Sequence, residues 1–481
     1  MAIGVTSDPA FAAGETAKRN YTVPLALMVS LYFGIGFITA LNDILIPHFK
    51  DLFHLTNVKA LMVQLCFFGA YFVMSLPSGS IVGKIGYKRG IVVALTVMGI
   101  GLLLFLPASV VIFYPLFLFA LFIVGSGLAL LQVAINPYVG ALGAPETAAA
   151  RLNLCGFLNS FATTIAPKIG AAFIFIAAGA SAAELARSVR MPYVILAGCA
   201  FAMAGLTAFV DLPKLLEGRS GSGDSSYVGA LRFSHLRLGA LAIFFYVGAE
   251  VAIGSVMINF LGQPSMGGLS HEAAAQYVSL YWGGAMIGRL IGFVVLSGAF
   301  VNNVRAQRMV TVVSIIAFLL VLAGIFARGY LPTWATLMCA SLVPVAFLVR
   351  RTVAAQRALV FVSSMASLLI VTGILTHGHV AMWAIVACGL FNSVMWPCIF
   401  PMSVEGLGRF TSHGSGILIM MVVGGAIVPE VQGLLADQFG YQPSFAIVLL
   451  CYLYILFFAL RGHRNLNATE ETDSLNPGII Q

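Results

Sequence analysis

The stretch Phe117-Leu118-Phe119-Ala120-Leu121-Phe122-Ile123-Val124-Gly125-Ser126-Gly127-Leu128-Ala129-Leu130-Leu131-Gln132-Val133-Ala134-Ile135-Asn136-Pro137-Tyr138 runs for 22 residues without a charge. As a helix, such a run spans the hydrocarbon core of a bilayer, which is about 30 Å thick. Its apolar residues do not alternate, so it is not a barrel strand. In a water-free bilayer only a helix or a closed barrel satisfies the backbone, and the helix is the one that fits. Near its end Gln132 and Asn136 stand four apart on one helical face, and Pro137 loosens the helix just after them.

Similar runs fill the chain. Apolar segments lie at about 23–47, 60–83, 89–108, 112–140, 152–178, 191–212, 238–262, 273–299, 309–328, 332–349, 358–376, 378–401, 412–435 and 442–461, fourteen in all. Of the 481 residues 60% are hydrophobic and 9% charged, too few charges to clothe a soluble protein of this length. The chain reads as an all-α polytopic membrane protein. Its net charge of +8 comes from basic residues scattered singly between apolar runs, which excludes a nucleic-acid-binding face. The seven cysteines fall in or beside apolar runs with no CxxC pattern, so they read as small buried residues, with no metal site and no cofactor. Lys18 and Arg19 precede the first long helix, which can serve as an uncleaved anchor.

Basic residues orient the map. With the N-terminus in the cytoplasm, eighteen Lys and Arg fall in inside loops and five (Lys50, Lys59, Arg187, Arg190, Arg328) in outside loops. Lys168 and Arg289 remain within the membrane. This bias predicts an even number of spans with both termini cytoplasmic.

The opening stretch has an internal echo. Gln132-x3-Asn136-Pro137-Tyr138, followed by Leu142-Gly143, is matched by Asn392-x3-Trp396-Pro397-Cys398, followed by Leu407-Gly408. Phe67-Phe68-Gly69-Ala70 in the second segment likewise matches Tyr281-Trp282-Gly283-Gly284 in the eighth. The two echoes fall into register if a two-helix hairpin, about 309–351, is inserted in the second half. Parallel repeats of six helices plus that hairpin make a major-facilitator fold. The expected divisions are a cytoplasmic tail at 1–22, a six-helix half at 23–213, a cytoplasmic linker at 214–237, a second half at 238–462 carrying the hairpin, and a cytoplasmic tail at 463–481. The loop Gly79-Ser80-Ile81-Val82-Gly83-Lys84-Ile85-Gly86-Tyr87-Lys88-Arg89 resembles the G-x-x-x-D-x-x-G-[RK]-[RK] gate loop of that superfamily, with Gly83 where Asp is usual.

Further stretches are similar to the fucose–galactose–glucose branch of the major facilitators. They are Leu41-Asn42-Asp43-Ile44-Leu45-Ile46-Pro47-His48-Phe49, Gln132 to Tyr138, Arg151-Leu152-Asn153 with Phe157-Leu158-Asn159-Ser160, Tyr246-Val247-Gly248-Ala249-Glu250, Ser279 to Gly284, and Gly389-Leu390-Phe391-Asn392-Ser393. The wording is most similar to bacterial glucose/galactose transporters. The resemblance implies that Asp43 is the proton-coupling carboxylate, and that Asn42 and Trp282, which lie in these stretches, face the sugar. The fucose/proton symporter has Glu where this chain has Gln132.

Charges at membrane depth are costly and need a reason. Asp43, Lys168, Glu250, Arg289 and Glu430 stand out. The amides Gln132, Asn136, Asn159, Asn392 and Asn259 offer the directional hydrogen bonds that sugar hydroxyls require, or else act as polar glue between helices. Trp396 can stack on a sugar face. Tyr246 and Glu250, four apart, can bind hydroxyls or a cation, or else Glu250 belongs to a structural ion pair. Arg289 lies in Gly284-x3-Gly288-x3-Gly292, a close-packing stripe, and needs an acidic partner. Lys168 and Glu430 can pair across the bundle or contribute to coupling.

The expected function is import of a hexose by proton symport through alternating access, in a monomer surrounded by lipid. Sodium coupling, uniport, or a fucose or N-acetylglucosamine substrate are the alternatives, and a non-transporting sugar sensor is a distant one. No paired carboxylates, metal cluster or nucleophile motif suggest an enzyme.

Overall fold

In a computed structural model, the structure describes residues 21–55, 57–174, 181–213, 226–298 and 354–463, together with residues 304, 305, 308 and 312. The expected hairpin at 309–351 and both tails lie almost wholly outside the described residues, as do the side chains of Asn42, Asp43 and Lys168.

Among the described residues, twelve long helical elements follow one another. They are α1 (Thr22–Phe53), α2 (Asn57–Ile85), α3 (Tyr87–Leu103, continuing as Phe105–Val111), α4 (Tyr114–Ala141), α5 (Ala148–Ile174) and α6 (Arg190–Phe209). After the linker come α7 (Ser234–Gly262), α8 (His271–Leu296), α9 (Ala355–Leu375), α10 (Gly378–Asn392, continuing as Met395–Val404), α11 (Thr411–Met420, continuing as Gly424–Phe439) and α12 (Ala446–Phe457). Eleven membrane spans are long and apolar enough among the described residues. The twelfth element, α5, carries Arg151, Asn153, Asn159 and Ser160 and is more polar than the rest.

The packing repeats with an offset of six helices. In the first half α1 packs on α5, α2 and α3 pack on α4, and α3 on α6. In the second, α7 packs on α11, α8 and α9 pack on α10, and α9 on α12. The echo between α4 and α10 therefore joins helices in equivalent places, as does the echo between α2 and α8. Small residues permit this closeness: a β-carbon at Gly127 of α4 would stand 2.7 Å from the backbone nitrogen of Met98 on α3.

Prolines shape the elements that face the centre. Pro397 cannot bond to the Ser393 carbonyl, and α10 breaks between Asn392 and Met395. Pro137 likewise leaves the Val133 carbonyl of α4 without its helical donor. The Ser415 hydroxyl of α11, fully buried, donates to that oxygen at 2.8 Å across the two halves. Arg151 of α5 caps the end of α4, donating to Val139 O at 2.9 Å and to Gly140 O at 2.5 Å.

The halves meet on the side at which α1 begins and α12 ends, the terminal side. There α2 and α4 pack against α11, and α5 packs against α8. A β-carbon at Gly83 of α2 would stand 2.9 Å from Ser412 Oγ of α11. Tyr227, in a one-turn helix just before α7, donates its hydroxyl to the Leu76 carbonyl of α2. Its ring meets His413 of α11 edge-on, with centroids 4.7 Å apart.

Candidate functional site

Between the halves lies a cavity of about 240 Å³. That is just below the roughly 300–1,000 Å³ typical for drug-sized ligands, which suits a smaller guest. Its walls differ in chemistry.

The first half supplies neutral polar groups. Tyr32, Ile35 and Thr39 of α1 succeed one another at helical spacing along the cavity, facing Tyr71 of α2 and Gln132 and Asn136 of α4. Gln132 Nε2 donates to the Tyr71 hydroxyl at 2.9 Å. The Tyr32 hydroxyl donates to Asn136 Oδ1, while Asn136 Nδ2 donates to the Gln132 carbonyl at 2.7 Å. Asn159 of α5 donates to the Tyr32 carbonyl at 3.0 Å. These bonds fix the directions of both amides, so the wall presents hydrogen-bonding groups that are already oriented.

The second half supplies an ion pair and an indole. Glu250 of α7 is 8% exposed, and its Oε1 lies 3.6 Å from Nη2 of Arg289 on α8. Arg289 Nη1 donates to Ser160 Oγ and, at 3.4 Å, to the Gly156 carbonyl, both on α5 of the other half. Tyr246, one turn before Glu250, is buried, and its ring lies 6.3 Å from that of Trp396. Trp396 stacks on Phe400, with centroids 5.9 Å apart. An always-charged guanidinium beside a carboxylate makes a locally neutral pair, so the cavity can take an uncharged polar guest.

Of the residues singled out in the sequence, Gln132, Asn136, Asn159, Tyr246, Glu250, Arg289 and Trp396 come together here. Asn392, Asn259, Trp282 and Glu430 are not among the lining residues. Asn392 is buried inside the second half, donating to the Tyr281 hydroxyl at 2.7 Å and accepting from Tyr452 at 2.5 Å. Asn259 is exposed near the far end of α7. Trp282 is 41% exposed and packs edge-on against Tyr281. Glu430 is exposed on α11, and Arg289 finds its acid in Glu250. The placements of the Asn42, Asp43 and Lys168 side chains lie outside the described residues. Sequence reasoning missed Tyr32 and Tyr71. The one available signal was a phenol on an apolar helix, which needs a hydrogen-bond partner when buried.

The Major Facilitator Superfamily profile matches residues 28–349. A glucose/galactose transporter of Brucella abortus biovar 1 is 41% identical over 466 residues, covering 97% of this chain and 100% of that protein. The L-fucose-proton symporter of Escherichia coli K12 is 29% identical, over 93% of this chain and 94% of the symporter. A crystal structure of FucP, a transporter of the superfamily, in the outward conformation superposes with a TM-score of 0.74 at 28% identity, over 92% of this chain and 99% of that one.

Proposed function

The chain belongs to the Major Facilitator Superfamily, and from that premise we propose that it imports a hexose of the glucose/galactose class by proton symport. The observation that carries the substrate is the cavity: oriented amides and phenols on one wall, an indole and a neutralised ion pair on the other. Hydroxyls both donate and accept, and such a wall offers both roles, while Trp396 gives a flat apolar face for a sugar ring. The names of the relatives support the same class, one a glucose/galactose transporter and one an L-fucose-proton symporter.

Gln132, Asn136, Asn159, Tyr246, Glu250 and Trp396 hold the sugar. Asp43 carries the proton. Along the sequence it follows Ile35 and Thr39 at four-residue spacing, which supports that assignment. The two six-helix halves, 23–213 and 238–462, rock about the cavity to expose it on alternate sides. With the terminal side cytoplasmic in a bacterial inner membrane, the packing of α2 on α11 and of α5 on α8 corresponds to an outward-facing carrier. The carrier works as a monomer.

The test is uptake of labelled hexoses by a transport-deficient strain expressing the chain under an imposed proton gradient. Accumulation of one hexose that a protonophore collapses is the expected result. Accumulation indifferent to the protonophore removes Asp43 from the proton role, and dependence on sodium at fixed pH then identifies the coupling ion. No uptake of any hexose removes the substrate class.

A further inference from the structure

Arg289 divides its hydrogen bonds and its charge between two bodies. Its Nη1 donates to Ser160 Oγ and Gly156 O of the first half, while Glu250 and the Tyr246 hydroxyl face the guanidinium from its own half. The 3.6 Å between Nη2 and Glu250 Oε1 is an ion-pair separation, too long for a hydrogen bond. Glu250 Oε1 has no hydrogen-bond partner although the residue is 8% exposed. A buried carboxylate oxygen left without a donor is costly and calls for an occupant. Both side chains line the cavity, so this gap opens onto the place a ligand would take.

A hydroxyl fits such a gap because it does two things at once. Its proton can go to Glu250 Oε1 while its oxygen accepts from the Arg289 guanidinium. We propose that a sugar hydroxyl entering this gap satisfies Glu250 and draws Arg289 off Ser160 and Gly156, so that occupancy of the cavity releases the bond holding α5 to α8. The proposal rests on the hexose-carrier reading and adds to it the link between binding and switching. In the empty carrier, separating α5 from α8 strips a largely shielded guanidinium, 16% exposed, of two acceptors. In the loaded carrier the sugar replaces them. The empty carrier is therefore held with its terminal side closed, and the loaded one is free to change face.

Purified carrier in proteoliposomes, with pH clamped on both sides, provides the test, using D-glucose and D-galactose as probes. Binding is read by titration, and the rate of equilibrium exchange is compared with the rate of net efflux. Exchange should outrun efflux in the wild type. Ser160→Ala removes only the cross-half hydroxyl. It should raise net efflux several-fold towards the exchange rate while leaving Kd within about twofold. Ser160→Thr, which restores a hydroxyl, should return the ratio to that of the wild type. Glu250→Gln should weaken binding by about tenfold or more, the usual range for a hydrogen bond to a charged group. A Ser160→Ala carrier that binds normally and keeps the wild-type ratio overturns the proposal alone, whereas an unchanged Kd in Glu250→Gln overturns it together with the place of Glu250 among the sugar ligands. Wild-type protein that binds neither sugar overturns the substrate reading and this link with it.

Discussion

Two side chains at the same place in the repeat have taken different work. Gln132 on α4 and Asn392 on α10 each stand five residues before a proline, yet only Gln132 lines the cavity. In the second half two buried phenols, Tyr281 and Tyr452, take up both ends of the Asn392 amide. In the first half one phenol, Tyr71, accepts from the nitrogen of the Gln132 amide at 2.9 Å. Spacing makes both amides visible in the sequence, but it says nothing of which neighbours will capture them. Tyr32 and Tyr71 escape notice for the related reason that an aromatic on an apolar helix reads as packing. Gln132→Ala should reduce sugar affinity by roughly 3- to 10-fold, the loss of one neutral hydrogen bond at ~0.5–1.5 kcal/mol, with the melting temperature little changed. Binding titration beside thermal unfolding checks this. Asp43→Asn should abolish uphill accumulation while sparing sugar exchange, and full accumulation by that variant would remove Asp43 from the coupling role.

Elements are where the sequence is most legible. Runs of about 20 apolar residues announce the helices, and the breaks in α10 and α11 occur around prolines or paired glycines, Pro397 in one and Gly424-Gly425 with Pro429 in the other. What no single stretch discloses is where a freed carbonyl finds its donor. The oxygen that Pro137 leaves unbonded on α4 is met by Ser415, which lies 282 residues further on and in the other half. That bond exists only while α4 and α11 are together. Ser415→Ala should therefore cost the closed terminal side about 1–3 kcal/mol, the usual penalty of an unmet buried acceptor. Labelling of a cysteine placed at the terminal mouth should rise accordingly. Gly83→Val acts in the same direction by another route. Its side chain meets Ser412 and forces α2 from α11, at about 1–3 kcal/mol for overpacking, a roughly 5- to 150-fold shift in population.

At the scale of the whole molecule, the offset-by-six packing gives two bodies of like architecture and unlike chemistry, one wall neutral and the other charged. Because the twelve described helices already fill the repeat, we propose that the residues at 309–351 are an addition to the second half. Deleting the pair should leave a C-terminal reporter on its original side of the membrane, and deleting one apolar segment of it should send the reporter across. The terminal mouth has a consequence of its own. Its α2–α11 seam is made of glycine contact, a serine hydroxyl, the Tyr227 phenol and the His413 ring, none of which bears a permanent charge. A latch built from ionised side chains is screened by mobile ions, whose atmosphere shrinks to about 3 Å at 1 M. Among its described residues this seam offers mobile ions no ion pair to screen, so its own contribution to opening and closing should be the same from dilute buffer to brine.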